Sequence, residues 1–263
     1  MQLVQNEVER IEKLELALTV FNSKRALSMP DKNLTIKRVG NCTSLMDTAS
    51  PNSIYYNRIK GFGIADADKI DEILDTYYTK GINPCFDMIP THIDLEVSKA
   101  LAAKGYYCAE QLVFLGIEPY EYGHQADGIE IVNVSEENVV EFLNLISQSQ
   151  EGIGFKEEIV KSKARYFIEP RFQNFIAYIG HEAIGMGSLF IEGDEGYIAN
   201  DFTFPSHRGR GVQKALLHHR LQIAQKLGLR KVFTDVEFGT ISHDNMVKLG
   251  FQTIYMNSFW MKQ

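Results

Sequence analysis

The chain has 263 residues, of which 44% are hydrophobic, and 27 lysines and arginines stand against 34 aspartates and glutamates for a formal charge of −7. That length holds one large domain or two ordinary ones, and the composition is that of a folded chain rather than a fibre or a disordered segment. The acidic balance argues against broad binding to nucleic acid or anionic lipid, no 18 apolar residues run together, and three cysteines without a CxxC pair (Cys42, Cys85, Cys108) suggest neither a disulfide framework nor a metal site. The expectation is a cytoplasmic protein with no metal, no nucleic-acid partner and no membrane partner.

Leu3, Val4, Val8, Ile11, Leu14 and Leu18, mostly three and four apart, predict an amphipathic helix over 3–20. From Leu34 to Ile64 the pattern turns to short β-prone runs, LTIKRV and SIYYNRI, broken by Gly40, Pro51 and Gly61. A helix over 68–80, a strand at CFDMI, a helix over 94–104 and a strand over 106–117 follow. The stretch 118–128, EPYEYGHQADG, is polar, turn-rich and aperiodic, so a linker is expected over 119–128 between domains 1–118 and 129–263. Beyond it come a strand (GIEIVNV), two helices, three strands at hairpin spacing, a turn rich in arginine and glycine, a long helix over 212–227, a strand (KVFTDV), a short helix over 243–248 and a closing strand over 253–260.

The halves show a sign of duplication. The stretch 80–115 can be laid over 227–260, each with a glycine ending a helix, an apolar strand, a short helix, a turn with Gly105 or Gly250 before an aromatic, and a strand. The offset is 145 residues, about half the chain.

The segment richest in chemistry is DFTFPSHRGRGVQKALLHHRLQIAQKLG, 201–228. A strand passes through Pro205 into Arg208-Gly209-Arg210-Gly211, and a helix begins at once. Glycines allow a tight turn with uncovered amides, and the first-turn amides carry the positive end of the helix dipole. Such a turn binds anions, and Arg208, Arg210 and Lys214 add full charges, so a phosphate-bearing ligand is the natural occupant. A nucleotide P-loop would need GxxxxGK[ST], and a dinucleotide fingerprint would need a third glycine where Lys214 stands; neither is present.

The stretch resembles instead the pyrophosphate loop of the GNAT N-acetyltransferases, Gln/Arg-x-x-Gly-x-Gly/Ala, with Gln213 at the usual Gly/Ala position. The element order of 129–260 and the turn VKLGF, 247–251, extend the resemblance, and residues 1–117 resemble a degenerate second copy. The fold it implies is α/β (α+β), two GNAT-like domains, each a mixed, mostly antiparallel sheet flanked by helices. Where the second copy has its arginines and glycines, the first has Asp66, Asp68, Asp71 and Glu72, which repel phosphate, so no coenzyme A site is expected there. The implied function is direct transfer of an acetyl group from acetyl-CoA to a primary amine of a small molecule or peptide, by a monomer or homodimer. The implied coenzyme A contacts are Asp201, Phe202, Thr203, Arg208, Gly209, Arg210, Gly211, Val212, Gln213, Lys214 and Asn245.

The chemistry requires a base for the ammonium group. The family's glutamate position falls at Tyr197, which is no base at neutral pH. Strand alternation puts Glu195, Tyr197, Ala199, Asp201 and Thr203 on one face, making Asp201 the first candidate and Glu195 the second. The family's tyrosine acid falls at Met246, leaving Ser242, His243 or Asn245 to donate a hydrogen bond to coenzyme A or to the leaving sulfur. With both usual acid–base positions replaced, a non-catalytic acyl-CoA sensor is the alternative.

Overall fold

A computed structural model describes residues 2–121, 128–150 and 154–262. Most of the expected linker, residues 122–127, lies outside the described residues.

The first helix, α1 (Gln2–Arg25), runs longer than the apolar spacing predicts. It is followed by β1 (Leu34–Val39), β2 (Cys42–Asp47) and β3 (Arg58–Lys60). The β-prone run SIYYNRI contributes only its end to β3, because residues 50–57 close on themselves through turns bonded Ser53 N to Ser50 O and Asn57 N to Ser53 O. Then come α2 (Ile70–Tyr78), β4 (Cys85–Met88), α3 (Leu95–Ala103) and β5 (Tyr106–Ile117). The second half holds β6 (Glu130–Asn133), α4 (Val139–Ser149), α5 (Glu157–Lys163), β7 (Phe172–Ile179), β8 (Glu182–Glu192) and β9 (Glu195–Thr203). It ends with α6 (Val212–Lys226), β10 (Lys231–Glu237), α7 (Ile241–Lys248) and β11 (Gln252–Lys262).

All eleven strands form one mostly antiparallel sheet, in the order β1-β2-β3-β4-β11-β5-β10-β9-β8-β7-β6. The halves have therefore exchanged their last strands. β11 lies against β4 of the first half, and β5 lies against β10 of the second. The β5–β11 ladder at the centre maps onto itself under the 145-residue offset. Moving Tyr107 forward and Met261 back by that offset turns their pairing into Gln252 with Gly116, and Glu110 with Phe259 becomes Tyr255 with Phe114; all four pairs are in the ladder. The two register shifts, one skipping Ile254 and the other Ala109, are likewise 145 apart.

Helices α6 and α7 cover one face of the second half, burying Leu216, Leu217, Leu221 and Met246 over Leu189, Ile198 and Val232. Helices α2 and α3 cover that face of the first half through Ile73, Leu74, Tyr77, Val97 and Leu101. On the opposite face α1 and α4 bury Ile11, Leu14, Leu18, Phe21, Phe142 and Leu143 against Phe190, Tyr197 and Phe233. The other flank of α1 meets a buried ionic cluster. Lys60 Nζ lies 2.6 Å from Asp87, 2.9 Å from Glu12 and 3.0 Å from Glu15, and Arg58 pairs with Asp87 at 3.0 Å and closely with Glu15. Burial alone would raise the Glu15 carboxyl, but Arg58 and Lys60 hold it down to about 2.

Among the described residues no helix is long and apolar enough to cross a membrane.

Candidate active site

β9 and β10 run parallel but pair only over Glu195–Tyr197 and Lys231–Phe233; beyond these residues they diverge. β9 is also interrupted. Met186 pairs with Phe202 and Ser188 with Ala199, so Gly187 faces both Asn200 and Asp201, a β-bulge. Asn200 takes φ 53°, a left-handed conformation that asparagine tolerates better than most residues. Its amide donates to Ser188 Oγ at 3.0 Å. A Cβ on Gly187 would stand 2.9 Å from the Arg220 guanidinium, so glycine is what admits that side chain beneath the bulge.

After the bulge, residues 204–211 lead into α6. Gly209 and Gly211 have φ of 78° and 81°, conformations that L side chains seldom adopt, and no side chain caps the helix at Gly211. The first α6 amides therefore stay open, with Arg208, Arg210 and Lys214 exposed around them. The result is a cleft of about 730 Å³ between the end of β9, this loop and α7. It gathers the expected Asp201, Phe202, Thr203, Arg208, Gly209, Gly211, Val212, Gln213, Lys214, Ser242 and Asn245. Arg210 stands exposed beside the cleft and is not among its lining residues. His207, Thr240 and Ile241 line it as well; sequence reasoning passed them over because they flank the motif rather than spell it.

Gln213, at the motif's unusual position, does not crowd the loop. Its Nε2 donates to Ser242 Oγ at 2.6 Å and its Oε1 accepts from Asn245 Nδ2 at 2.7 Å, tying α6 to α7 across the cleft.

The two carboxylates expected to act as bases are engaged elsewhere. The bulge at Asn200 reverses the alternation, so Asp201 leaves the face of Tyr197 and Ala199 and turns toward α6. There both its oxygens are bound by the guanidinium of fully buried Arg220, one at 2.9 Å and one closer. Glu195, the second candidate, is buried at the start of β9, paired closely with Arg10 and with Arg230 at 3.0 Å. Each of these carboxylates is thus the counter-ion of one or two guanidiniums, with its oxygens taken up by those bonds.

On the α1 face, where β9 and β10 part, a second cavity of about 170 Å³ contains Tyr197 and Asp235. The Tyr197 hydroxyl donates to Asp235 Oδ1. Burial, followed by the negative charge of Asp235, pushes the Tyr197 hydroxyl well above its usual range. Burial also raises the Asp235 carboxyl, against the bond from Tyr197. Glu15, Glu110, Leu18 and Tyr55 share the cavity. Asp235 escaped sequence reasoning because its partner and its cavity come from four strands and a helix distant in the chain. Met246, at the family's acid position, is buried in the α6–α7 core.

In the first half, the position equivalent to Gly211 is Asp66, which is buried. Its carboxylate accepts from Asn41 N at 3.0 Å and Asn41 Nδ2 at 3.1 Å, closing the β1–β2 turn.

A strand, an open glycine turn with cations and a helix N-terminus, placed at a parting of two parallel strands, define an anion cleft. Residues 139–251 match the family model described as Acetyltransferase (GNAT) family. No curated protein matches the chain. Among solved structures, a GCN5-related N-acetyltransferase from Kribbella flavida matches at 12% identity with TM-score 0.64, covering 87% of this chain and 89% of that one. Another from Sphaerobacter thermophilus matches at 12% identity with TM-score 0.63, covering 86% and 82%. A tandem GNAT protein from the clavulanic acid biosynthesis pathway matches at 13% identity with TM-score 0.62, covering 89% and 83%. At these identities the likeness is one of fold, and it extends over both halves.

Proposed function

We propose that this chain moves an acetyl group from acetyl-CoA to a primary amine of a small molecule or peptide. The observation that carries the reading is the cleft at the end of β9, where open helix amides, left-handed glycines and the exposed cations Arg208 and Lys214 converge. Pyrophosphate fits this set, since every donor there is positive or an unpaired amide and no acidic residue lies in the first turn of α6. The amides around Gly209–Lys214 hold the pyrophosphate, and the strand segment Asp201–Thr203 lies along the pantetheine arm.

The acceptor enters from the α1 face, into the cavity of Tyr197 and Asp235. Asp235 takes the proton of the ammonium group, the freed amine forms the new C–N bond at the acetyl carbonyl, and the C–S bond breaks. Ser242 Oγ accepts from Gln213, so its own hydroxyl proton is free to steady the leaving sulfur. On this reading proton transfer falls to Asp235 rather than to Asp201 or Glu195, whose oxygens serve arginines.

Titration calorimetry with coenzyme A and a thiol-release assay over a panel of amines test this reading. Micromolar binding with release on at least one amine is expected; absence of binding overturns it. Binding without release on any amine favours a non-catalytic acyl-CoA sensor, a reading motivated by buried Met246 standing where the family's acid would be.

A further inference from the structure

Beside the Asp235 cavity, on the same face of the sheet, lies a third cavity of about 370 Å³ lined by Asn22, Arg25, Lys32, Tyr56, Phe155 and Asn200. Its chemistry is set by Arg25, the last residue of α1. The guanidinium lies over Phe167 at 5.2 Å and Phe172 at 4.6 Å. It gives one hydrogen bond to Asn22 Oδ1 at 2.7 Å and one to Asn200 Oδ1 at 3.3 Å. Both acceptors are neutral.

Among the described residues no carboxylate pairs with Arg25, and its electrostatic neighbours are the hydroxyls of Tyr55 and Tyr56. The other deeply placed guanidiniums are treated differently: Arg220 has Asp201, and Arg58 has Glu15 and Asp87. Burial lowers the Arg25 pKa to about 10, which leaves it cationic at neutral pH. The negative end of the α1 dipole steadies the charge without using its donors. Among the described residues three of the five guanidinium N–H groups have no partner, while Lys32, which lines the same cavity, is already paired with Asp47 at 3.8 Å.

Two links join this cavity to the Asp235 cavity. Asn22, which lines it, donates to Tyr55 Oη at 2.7 Å, and Tyr55 lines the other. Asn200, bonded to Arg25, is the bulge residue three places after Tyr197 on β9. Along α1, Leu18 belongs to one cavity and Arg25 to the other, a rise of about 10 Å.

We infer that the amine accepted by this protein carries an oxyanion group, a carboxylate or a phosphate, which Arg25 binds while the amine lies at Asp235. The inference rests on the acetyltransferase reading above and narrows its acceptor to small zwitterionic amines.

The test uses a series of ω-amino acids of increasing length, the matched ω-amino amides and the matched aminoalkyl phosphates, each assayed with acetyl-CoA on the full chain and on Arg25→Met. The acid or the phosphate is expected to exceed the amide at least tenfold in kcat/KM at its best length, and whichever leads identifies the anion. Arg25→Met should erase that preference, bringing the acid and phosphate rates down to that of the amide measured on the same variant. Calorimetry supplies a readout independent of turnover: the N-acetylated ω-amino acid should bind the native chain and not Arg25→Met. Should the variant fold poorly, the native chain's preference among the three series still decides. Equal rates for acid, phosphate and amide, or an equal loss of all three in Arg25→Met, overturn the anion subsite and leave acetyl transfer standing. Binding of the N-acetylated acid through Arg25 with no thiol release on any amine keeps the subsite and removes the transferase reading. Absence of both discrimination and binding overturns the subsite.

Discussion

Asp201 and Asp235 sit on neighbouring strands that flank the same opening, and their partners give them opposite tasks. Asp201 neutralises the fully buried Arg220. Asp201→Asn leaves that guanidinium without a counter-charge, a loss of about 3–5 kcal/mol in comparable buried pairs, so a marked drop in Tm is expected by calorimetry. The double change with Arg220→Met should recover much of it, since no charge is then stranded. Asp235 bonds a hydroxyl, and burial raises its carboxyl above the ordinary 3.8. A base works only when deprotonated, so kcat/KM should climb with pH through that raised value. Tyr197→Phe removes the bond that lowers it, and the acid limb of the profile should then move to higher pH. Asp235→Asn should abolish the limb and cost on the order of 100–10,000-fold in kcat with coenzyme A affinity intact. An unchanged profile would remove Asp235 from the mechanism.

At the scale of elements, the unit formed by β9, the loop and α6 was legible almost residue by residue. Its chemistry is local: two glycines two apart, cations beside them and an apolar-periodic helix downstream are all visible along the chain. Gly211→Val tests it. A Cβ there meets nothing within 4 Å, so the cost lies in forcing a β-branched residue to φ 81°, roughly 1–2 kcal/mol. The fold should survive that cost with a modest fall in Tm, while coenzyme A affinity should drop by at least tenfold as the amides turn away. Unchanged affinity in calorimetry would sink the loop assignment. The face of β9 was not legible. Alternation predicted Asp201 beside Tyr197, and one extra residue opposite Gly187 reverses it. Nothing local marks that bulge, because Asn200 is held by Ser188 and Arg25, which are near it only after folding.

For the whole molecule, the duplication was legible as a 145-residue echo, but the exchange of strands was not, since pairing partners outside a hairpin leave no local trace. In the exchanged arrangement residues 1–121 provide β5 to the second half and rely on β11 from it. Produced separately, the two pieces 1–121 and 128–263 should each be insoluble or unfolded by circular dichroism. Produced together, they should assemble into a complex that melts in one transition, as the intact chain should. A soluble 128–263 piece that melts cooperatively and binds coenzyme A would show that the exchange is dispensable.

The position of β11 also bears on how the protein is made. Of the eleven described strands, the one made after all the others is the one that lies between β4 and β5. Until it arrives, β4 has no neighbour on that side, and β5, with Val113, Phe114 and Leu115 buried in the finished protein, has none of its partners until β10 is made. The nascent chain therefore carries open, apolar strand edges while more than a hundred further residues are added, the kind of edge that recruits other chains. A chain that stops before Gln252 lacks the strand that closes the sheet, and the defect falls on the first half of the protein as much as on the second.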